Sequence, residues 1–412
     1  MPLALSWALI TLLLAPPASA DAITFDRAIE LARVAPEVRG AERALDVKRR
    51  SRQNTSRITY NPQIMLQPGF RLAPADARGL EVQASLTQTW SLAGLARARD
   101  QALRSEEELW SAEARLIALS RGLGAARAWI DLWATQQLWD EARAEAAIAA
   151  TFTATIERAN ALSAATLADV ADARAYVSEA DLLVLAAEGE VFHLGLLLNQ
   201  ETGSTRDAPL AAEGPLPAPP LPSAAEYAGA LDRADQLPQI AALELSGRVA
   251  QARAAEIKAA YGAHLLTGVF FQRDQPGGVV PYAIVGLTLP AFNRGERERG
   301  EALAAAERLA GAAEQARVDA RAELAQAIHE VEHSQRILSE LERHLVPAQQ
   351  AATAARERLF AAGQATVVEV LLARRAAIQG RARRHRAAAD HAWARVKLWI
   401  LLATIERHGA PK

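Results

Sequence analysis

Long stretches of the chain place apolar residues at alternating spacings of three and four. Positions 303, 306, 310, 313, 317, 320, 324, 327, 331, 334, 338, 341 and 345 keep this rhythm, with Arg317 and Ser334 as the polar exceptions. Leu109, Ala112, Leu116, Leu119, Leu123, Ala126, Ile130 and Trp133 repeat it earlier in the chain. A sustained 3.5-residue period predicts long helices supercoiled on partners, and the many alanines let neighbouring backbones approach closely. The stretch from Gly94 to Asn160 would reach about 100 Å as one helix, longer than a compact domain of this size, so a rod or part of a tube is expected. Pro347 should kink or loosen the later long helix.

A second pattern has period two. Leu80, Val82, Ala84 and Leu86 alternate with Glu81, Gln83, Ser85 and Thr87, and residues 61–71 alternate in the same way. Such alternation predicts strands with one apolar and one polar face. The counterparts at 263–273 and 279–292 are more apolar on both faces. Pro/Gly-bearing loops at 72–79 and 274–278 would close two hairpins, spanning 59–92 and 262–292. About ten residues per strand suits a tilted bilayer crossing. A small sheet capping the helices is the alternative. Four strands cannot close a barrel, and lipid does not tolerate an open edge, so a membrane role requires several copies to pool their strands.

The chain also repeats itself. Residues 157–174 overlay residues 357–374 without a gap, with eight of eighteen pairs identical and Asp169 facing Glu369. Ala28 and Pro36 match Ala230 and Pro238; Leu86, Thr87 and Gly94 match Leu287, Thr288 and Gly295. The offsets all lie between 200 and 202 residues, which a chance alignment of alanine-rich helices would not maintain. The expected organisation is a first repeat over 21–206 (helix, hairpin 59–92, long helices 94–200) and a second over 223–412 (helix, hairpin 262–292, long helices 294–406). Between them, 207–222 carries six prolines and reads as an extended connector.

Composition narrows the chemistry. The 412 residues include no cysteine and carry a formal net charge of −2. That excludes a disulfide framework, a thiolate site and a cysteine-linked lipid anchor, and argues against nucleic acid as a partner. Residues 1–20 read as a secretory signal: an apolar run from Leu3 to Ala15, then Pro16-Pro17 and Ala18-Ser19-Ala20 before Asp21. No Lys or Arg precedes that run, which leaves an upstream start codon open. Nothing later reaches the roughly 18 apolar residues of a membrane-crossing helix.

Leu345-Val-Pro347-Ala-Gln, followed by Arg358-Leu-Phe-Ala-Ala-Gly363 and Val368-Glu-Val-Leu-Leu-Ala-Arg374, resembles the proline, tip glycine and returning helix of the TolC-like outer-membrane efflux factors. Leu289-Pro-Ala-Phe-Asn-Arg-Gly295 is similar to the strand-to-helix junction of the heavy-metal (cobalt–zinc–cadmium) branch; Gln88-Thr-Trp-Ser-Leu-Ala-Gly94 matches it more loosely. The resemblance runs from Ile23 to about Ile405. It implies a mainly α protein with membrane β-barrel strands: long coiled helices forming an α-barrel, and four strands per protomer given to a trimeric twelve-stranded β-barrel. It further implies a homotrimer in outer-membrane lipid, extending into the periplasm. A periplasmic adaptor and an inner-membrane pump of the RND type would be partners, and 202–222 would belong to a belt around the rods. Heavy-metal cations are the cargo the junction favours. Drug or protein export, or a periplasmic coiled-coil scaffold without a pore, are the alternatives.

Under this reading the helix-turn-helix tips dock the adaptor and close the pore. The candidate residues are Ser163, Ala164 and Thr166 in the first tip and Gly363, Gln364 and Thr366 in the second. Gly363 suits a helix terminus with positive φ and Thr366 an N-cap, whereas Ser163 stands where a glycine is expected. The plainer alternative is a simple helix connection. Asp169, Asp172 and Glu369, just beyond the tips, could form carboxylate rings in a trimer lumen or serve the positive helix N-termini.

His329-Glu-Val-Glu-His333 satisfies the H-E-x-x-H zinc-protease pattern, with both imidazoles on one helical face. It lies within a heptad-patterned rod and nothing singles out a third ligand. Incidental surface histidines are therefore the expected reading, with weak metal contact at His329 and His333 as the minor one. No catalytic residue, cofactor or dedicated metal site is expected. The remaining histidines are read as solvated or interfacial. Most tryptophans should fill helix seams, with Trp90 at a membrane interface.

Overall fold

The computed structural model describes residues 21–71, 79–273 and 278–409. The signal-like segment 1–20 and most of both expected hairpin loops lie outside these residues. The described chain forms two compact units. One takes the chain up to Arg39, Leu116–Leu237 and the chain from Ala320; the second takes Gly40–Arg115 and Pro238–Asp319.

Each half begins with helix broken at a proline. Strand β1 (Ala22–Ile23) leads into α1 (Phe25–Arg33), and α2 (Pro36–Gln53) follows after two residues. In the second half α5 (Ala224–Asp232), a 3-10 turn at Ala234–Gln236 and α6 (Pro238–Ala260) do the same. One helix before each hairpin was expected; the structure has two. Pro36 and Pro238 have no amide hydrogen to continue the preceding helix but suit the first position of a new one.

The second unit is built on four antiparallel strands, β2 (Gln63–Arg71), β3 (Gly79–Ser91), β5 (His264–Arg273) and β6 (Val279–Thr288), in the order β2-β3-β5-β6. The two hairpins, one from each half, therefore meet through β3 and β5. The register aligns Ile64, Leu86, Val269 and Ala283 across the sheet, and likewise Trp90, Leu265 and Leu287. One face is thus largely apolar over all four strands, and it is uncovered: Ile64 is 77% and Val285 76% exposed. The opposite face carries Gln63, Gln67, Glu81, Gln83, Ser85 and Thr87 on the first hairpin, but Leu266, Phe270 and Ile284 on the second. Pro68 and Pro281 fall on the outer strands, where a missing donor is tolerated. Strand β6 stops at Thr288, before the expected 292, because Pro290 cannot extend the ladder.

Both hairpins leave the sheet through a residue of positive φ, Gly94 (73°) and Gly295 (70°), at the duplicated position. Helix α3 (Leu95–Ala161) then runs unbroken for 67 residues, followed by α4 (Leu167–Thr202). In the second half the equivalent path is interrupted. Helix α7 (Glu296–Glu340) passes through a π turn at Leu341–Leu345 into α8 (Val346–Ala361), and α9 (Val367–Gly409) returns. The wide turn lies immediately before Pro347, whose ring would collide with the carbonyl four residues back in a regular helix.

The first unit has its core where α1 meets the middle of α3, the end of α4 and the later part of α9. Trp129, Ile130, Leu132, Leu198 and Val396 are buried there with a set of alanines. Trp129 donates its indole N–H to the Ile23 carbonyl at 2.8 Å and meets Phe25 edge-on. The proline-rich connector contains β4 (Ala211–Ala212), which pairs parallel with β1. Asn199 donates to the carbonyls of Arg206 and Ala208, tying the connector to α4.

Candidate functional site

The two helix-turn-helix ends of the first unit share one backbone design. At the first, α3 closes with the Ala164 amide donating to Ala159 O at 2.8 Å and Ser163 at φ 59°. At the second, the Gln364 amide donates to Leu359 O at 2.8 Å and Gly363 sits at φ 71°. Serine thus occupies the left-handed position that glycine fills more easily. The first turn also has a hydrogen bond with no counterpart in the second: Asn160 donates its side-chain amide to Ala165 O at 2.7 Å, where the second repeat has Phe360.

The following helices start alike. Thr166 caps α4: its hydroxyl accepts from the Asp169 amide at 3.1 Å, while the Asp169 carboxylate accepts from the Thr166 amide at 2.9 Å. Thr366 and Glu369 repeat this at α9, at 3.3 and 2.9 Å. Both carboxyls are held below the ordinary carboxylate range, chiefly by the capped threonine amide and then by its hydroxyl. For Glu369, Arg356 adds to this at 2.6 Å. Two of the three candidate pore carboxylates therefore serve helix N-termini. Asp172 is exposed on α4.

A shared core holds the two tips together. Ile156, Val170, Ala173 and Tyr176 pack with Val367 and Leu371, and Phe152 lies 5.7 Å from Phe360. The turn residues 161–164 and 361–364 remain exposed, and Leu162 and Leu167 present large apolar side chains at the first tip.

Behind the tips lies a polar cluster that sequence reasoning did not find. Glu145, 5% exposed, accepts from the Tyr176 hydroxyl at 2.6 Å and faces Arg374 at 3.5 Å and Arg381 at 3.4 Å. Arg374 also pairs with Glu357, and Arg381 with Glu141. Burial and the adjacent Glu145 carboxylate raise the Tyr176 hydroxyl well above its usual pKa, so it stays a donor. His385, expected to be solvated or interfacial, approaches Glu141 at 3.4 Å and is buried between helices; burial and then Arg384 lower its pKa. The only signal in the sequence was the matching Glu157/Arg174 and Glu357/Arg374 pairs. Each is an ion pair, at 2.8 and 2.6 Å.

The H-E-x-x-H residues sit on the outer side of α7. His329 and His333 are exposed, while Leu324, Ala327 and Val331 are buried on the other side. Glu330 accepts from Gln326 at 2.8 Å and faces Lys397 at 3.6 Å, so it is not poised as a base over the histidine pair. Among the described residues, no group of three or more His, Cys, Asp or Glu side chains could hold a metal ion. Trp90 lies on the apolar sheet face and donates to the Thr267 hydroxyl at 2.9 Å. Trp399, 46% exposed, helps to line a cavity of about 760 Å³ beside the proline-rich connector instead of filling a seam.

The chain matches known structures over almost its whole length. The outer-membrane channel OprN aligns over 92% of this chain and 89% of its own, at 17% identity and a TM-score of 0.77. The Campylobacter jejuni CmeC outer membrane channel covers 97% and 90%, at 13% identity and 0.73. CusC, solved in a study of folding and transmembrane channel formation, covers 92% and 91%, at 17% identity and 0.69. The chain has the fold of outer-membrane channels. No family model and no curated protein matches the sequence. Among the described residues, no helix is long and apolar enough to cross a membrane.

Proposed function

We propose that this protein is the outer-membrane channel of a tripartite efflux assembly, a passive exit duct with no catalytic role of its own. The observation that carries this reading is the four-stranded sheet. It has an apolar face without cover and two outer strands, β2 and β6, with no further neighbour among the described residues. In lipid such a sheet must be closed, and three copies pooling four strands each give a twelve-stranded barrel. The fold shared with OprN, CmeC and CusC supports the same assignment.

Within this proposal the paired helices continue the barrel into the periplasm. The tips at Ser163, Ala164, Thr166, Gly363, Gln364 and Thr366 meet a periplasmic adaptor, which links the duct to an inner-membrane pump of the RND type. The exposed Leu162 and Leu167 supply apolar anchors for that contact. Asp169, Asp172 and Glu369 give the lumen near the tips a negative character suited to cations. Heavy-metal cations are the favoured cargo, on the strength of the Leu289–Gly295 junction.

Fractionation tests the central claim. The protein should be recovered in outer membranes as a trimer whose migration changes on heating. Recovery in the soluble periplasmic fraction after lysis would instead identify a coiled-coil scaffold. A deletion strain should become sensitive to cobalt, zinc or cadmium; sensitivity to drugs alone would overturn the cargo assignment and leave the duct intact.

A further inference from the structure

The H-E-x-x-H segment is unsuited to hydrolysis, yet it places two imidazoles together. His329 and His333, one turn apart on α7, have ring centroids 5.7 Å apart and planes inclined by only 13°. Both are exposed, and among the described residues neither ring takes part in a hydrogen bond or ion pair. An ion bound at about 2.0–2.1 Å by one nitrogen of each ring would bring the centroids to roughly 5 Å. The near-parallel planes do not yet aim two ring nitrogens at one point, so each ring must turn about its side-chain torsions, which both can do because neither is packed into the core. The helix supplies the rest: residues at i and i+4 project from the same face, so no backbone rearrangement is needed.

We propose that His329 and His333 chelate one borderline divalent transition-metal ion, of the Cu²⁺, Ni²⁺ or Zn²⁺ class, on the exposed flank of α7. Neutral imidazoles select these ions over Mg²⁺ and Ca²⁺, which prefer oxygen ligands. Glu330 is turned toward Gln326 and Lys397 and does not complete the set. The remaining coordination positions belong to water or to a ligand from solution, so the site binds exchangeably and performs no peptide cleavage. The inference rests on the side-chain geometry alone and is independent of the efflux reading.

The untagged full-length protein, purified in detergent, is titrated with CuCl₂ and followed by calorimetry and by electron paramagnetic resonance. The expected result is one saturable site per chain with nitrogen couplings from two imidazoles. His329→Ala and His333→Ala should each weaken it by about tenfold or more. A Glu332→His substitution in the His333→Ala background should restore binding by rebuilding a pair at i and i+3. MgCl₂ at equal concentration should produce no binding heat at this site. Binding that is equal in the wild type and the His329→Ala/His333→Ala double variant would overturn the proposal, as would a wild-type spectrum with a single nitrogen coupling.

Discussion

Exchanging the turn residues of the two tips isolates the cost of a serine in the left-handed region. The turns have equivalent closing hydrogen bonds, both 2.8 Å, and φ values of 59° at Ser163 and 71° at Gly363. A side-chain-bearing residue there loses roughly 1–2 kcal/mol relative to its preferred backbone. Glycine avoids that strain but loses about 0.5–1 kcal/mol more backbone entropy on folding. The net effect is about 0.5–1 kcal/mol in favour of glycine, so Ser163→Gly should tighten the first turn and Gly363→Ser loosen the second by similar amounts. Hydrogen exchange of peptides containing the Ala164 and Gln364 amides reads this directly, because those amides close the turns. Exchange should slow about two- to fivefold in Ser163→Gly and quicken by a like factor in Gly363→Ser. Asn160→Ala should quicken exchange at the first tip only, since its bond to Ala165 O has no equivalent at the second. Unchanged or faster exchange in Ser163→Gly would refute the strain argument.

Three other outcomes follow from the polar contacts near the tips. Tyr176→Phe keeps the buried ring but deprives Glu145 of its 2.6 Å hydroxyl bond; a loss of about 1.5–3 kcal/mol is expected for a bond to a charged acceptor, seen as a lower midpoint in thermal unfolding. The caps at Thr166 and Thr366 should be pH-dependent. Their carboxylate partners have lowered pKa values in the folded state, so this stabilisation is complete above the unfolded carboxylate range and is lost as pH falls through the folded values. Corrected for intrinsic exchange, the protection of the first turns of α4 and α9 should therefore stay constant from neutral pH down to about pH 5 and fall below about pH 4. Thr166→Ala should cost about 1 kcal/mol and flatten that response at α4.

Much of the architecture was legible because period and length are local properties. The heptad spacing announced α3 and α7, the two-residue alternation announced the strands, and Pro347 announced a disturbance that takes the form of a π turn. The paired turns were legible through duplication: a constant offset places Ser163 over Gly363 and Asp169 over Glu369. The helix breaks at Pro36 and Pro238 are less legible, although the two prolines match across the repeat. A proline marks a possible start, and only packing decides whether the preceding turn continues as helix.

The polar cluster around Glu145 shows the opposite case. Its members come from residues 141–145, 176 and 374–385, and nothing in their spacing declares a meeting. The repeat points only to the Glu357–Arg374 pair, since the second half has Leu345 and Ala376 where the first has Glu145 and Tyr176. Likewise, the sequence shows Glu369 three residues after Thr366, but its pairing with Arg356 across the turn comes from the fold.

What the sequence determined by itself was therefore whatever depends on neighbours along the chain: helix and strand periodicity, proline and glycine breaks, and the repeat. What only the tertiary structure decided was the joining of β3 to β5, the core shared by the two tips, and the partners of buried charge. Those contacts link residues far apart in the chain, and their free energy comes from burial and geometry that no local pattern encodes.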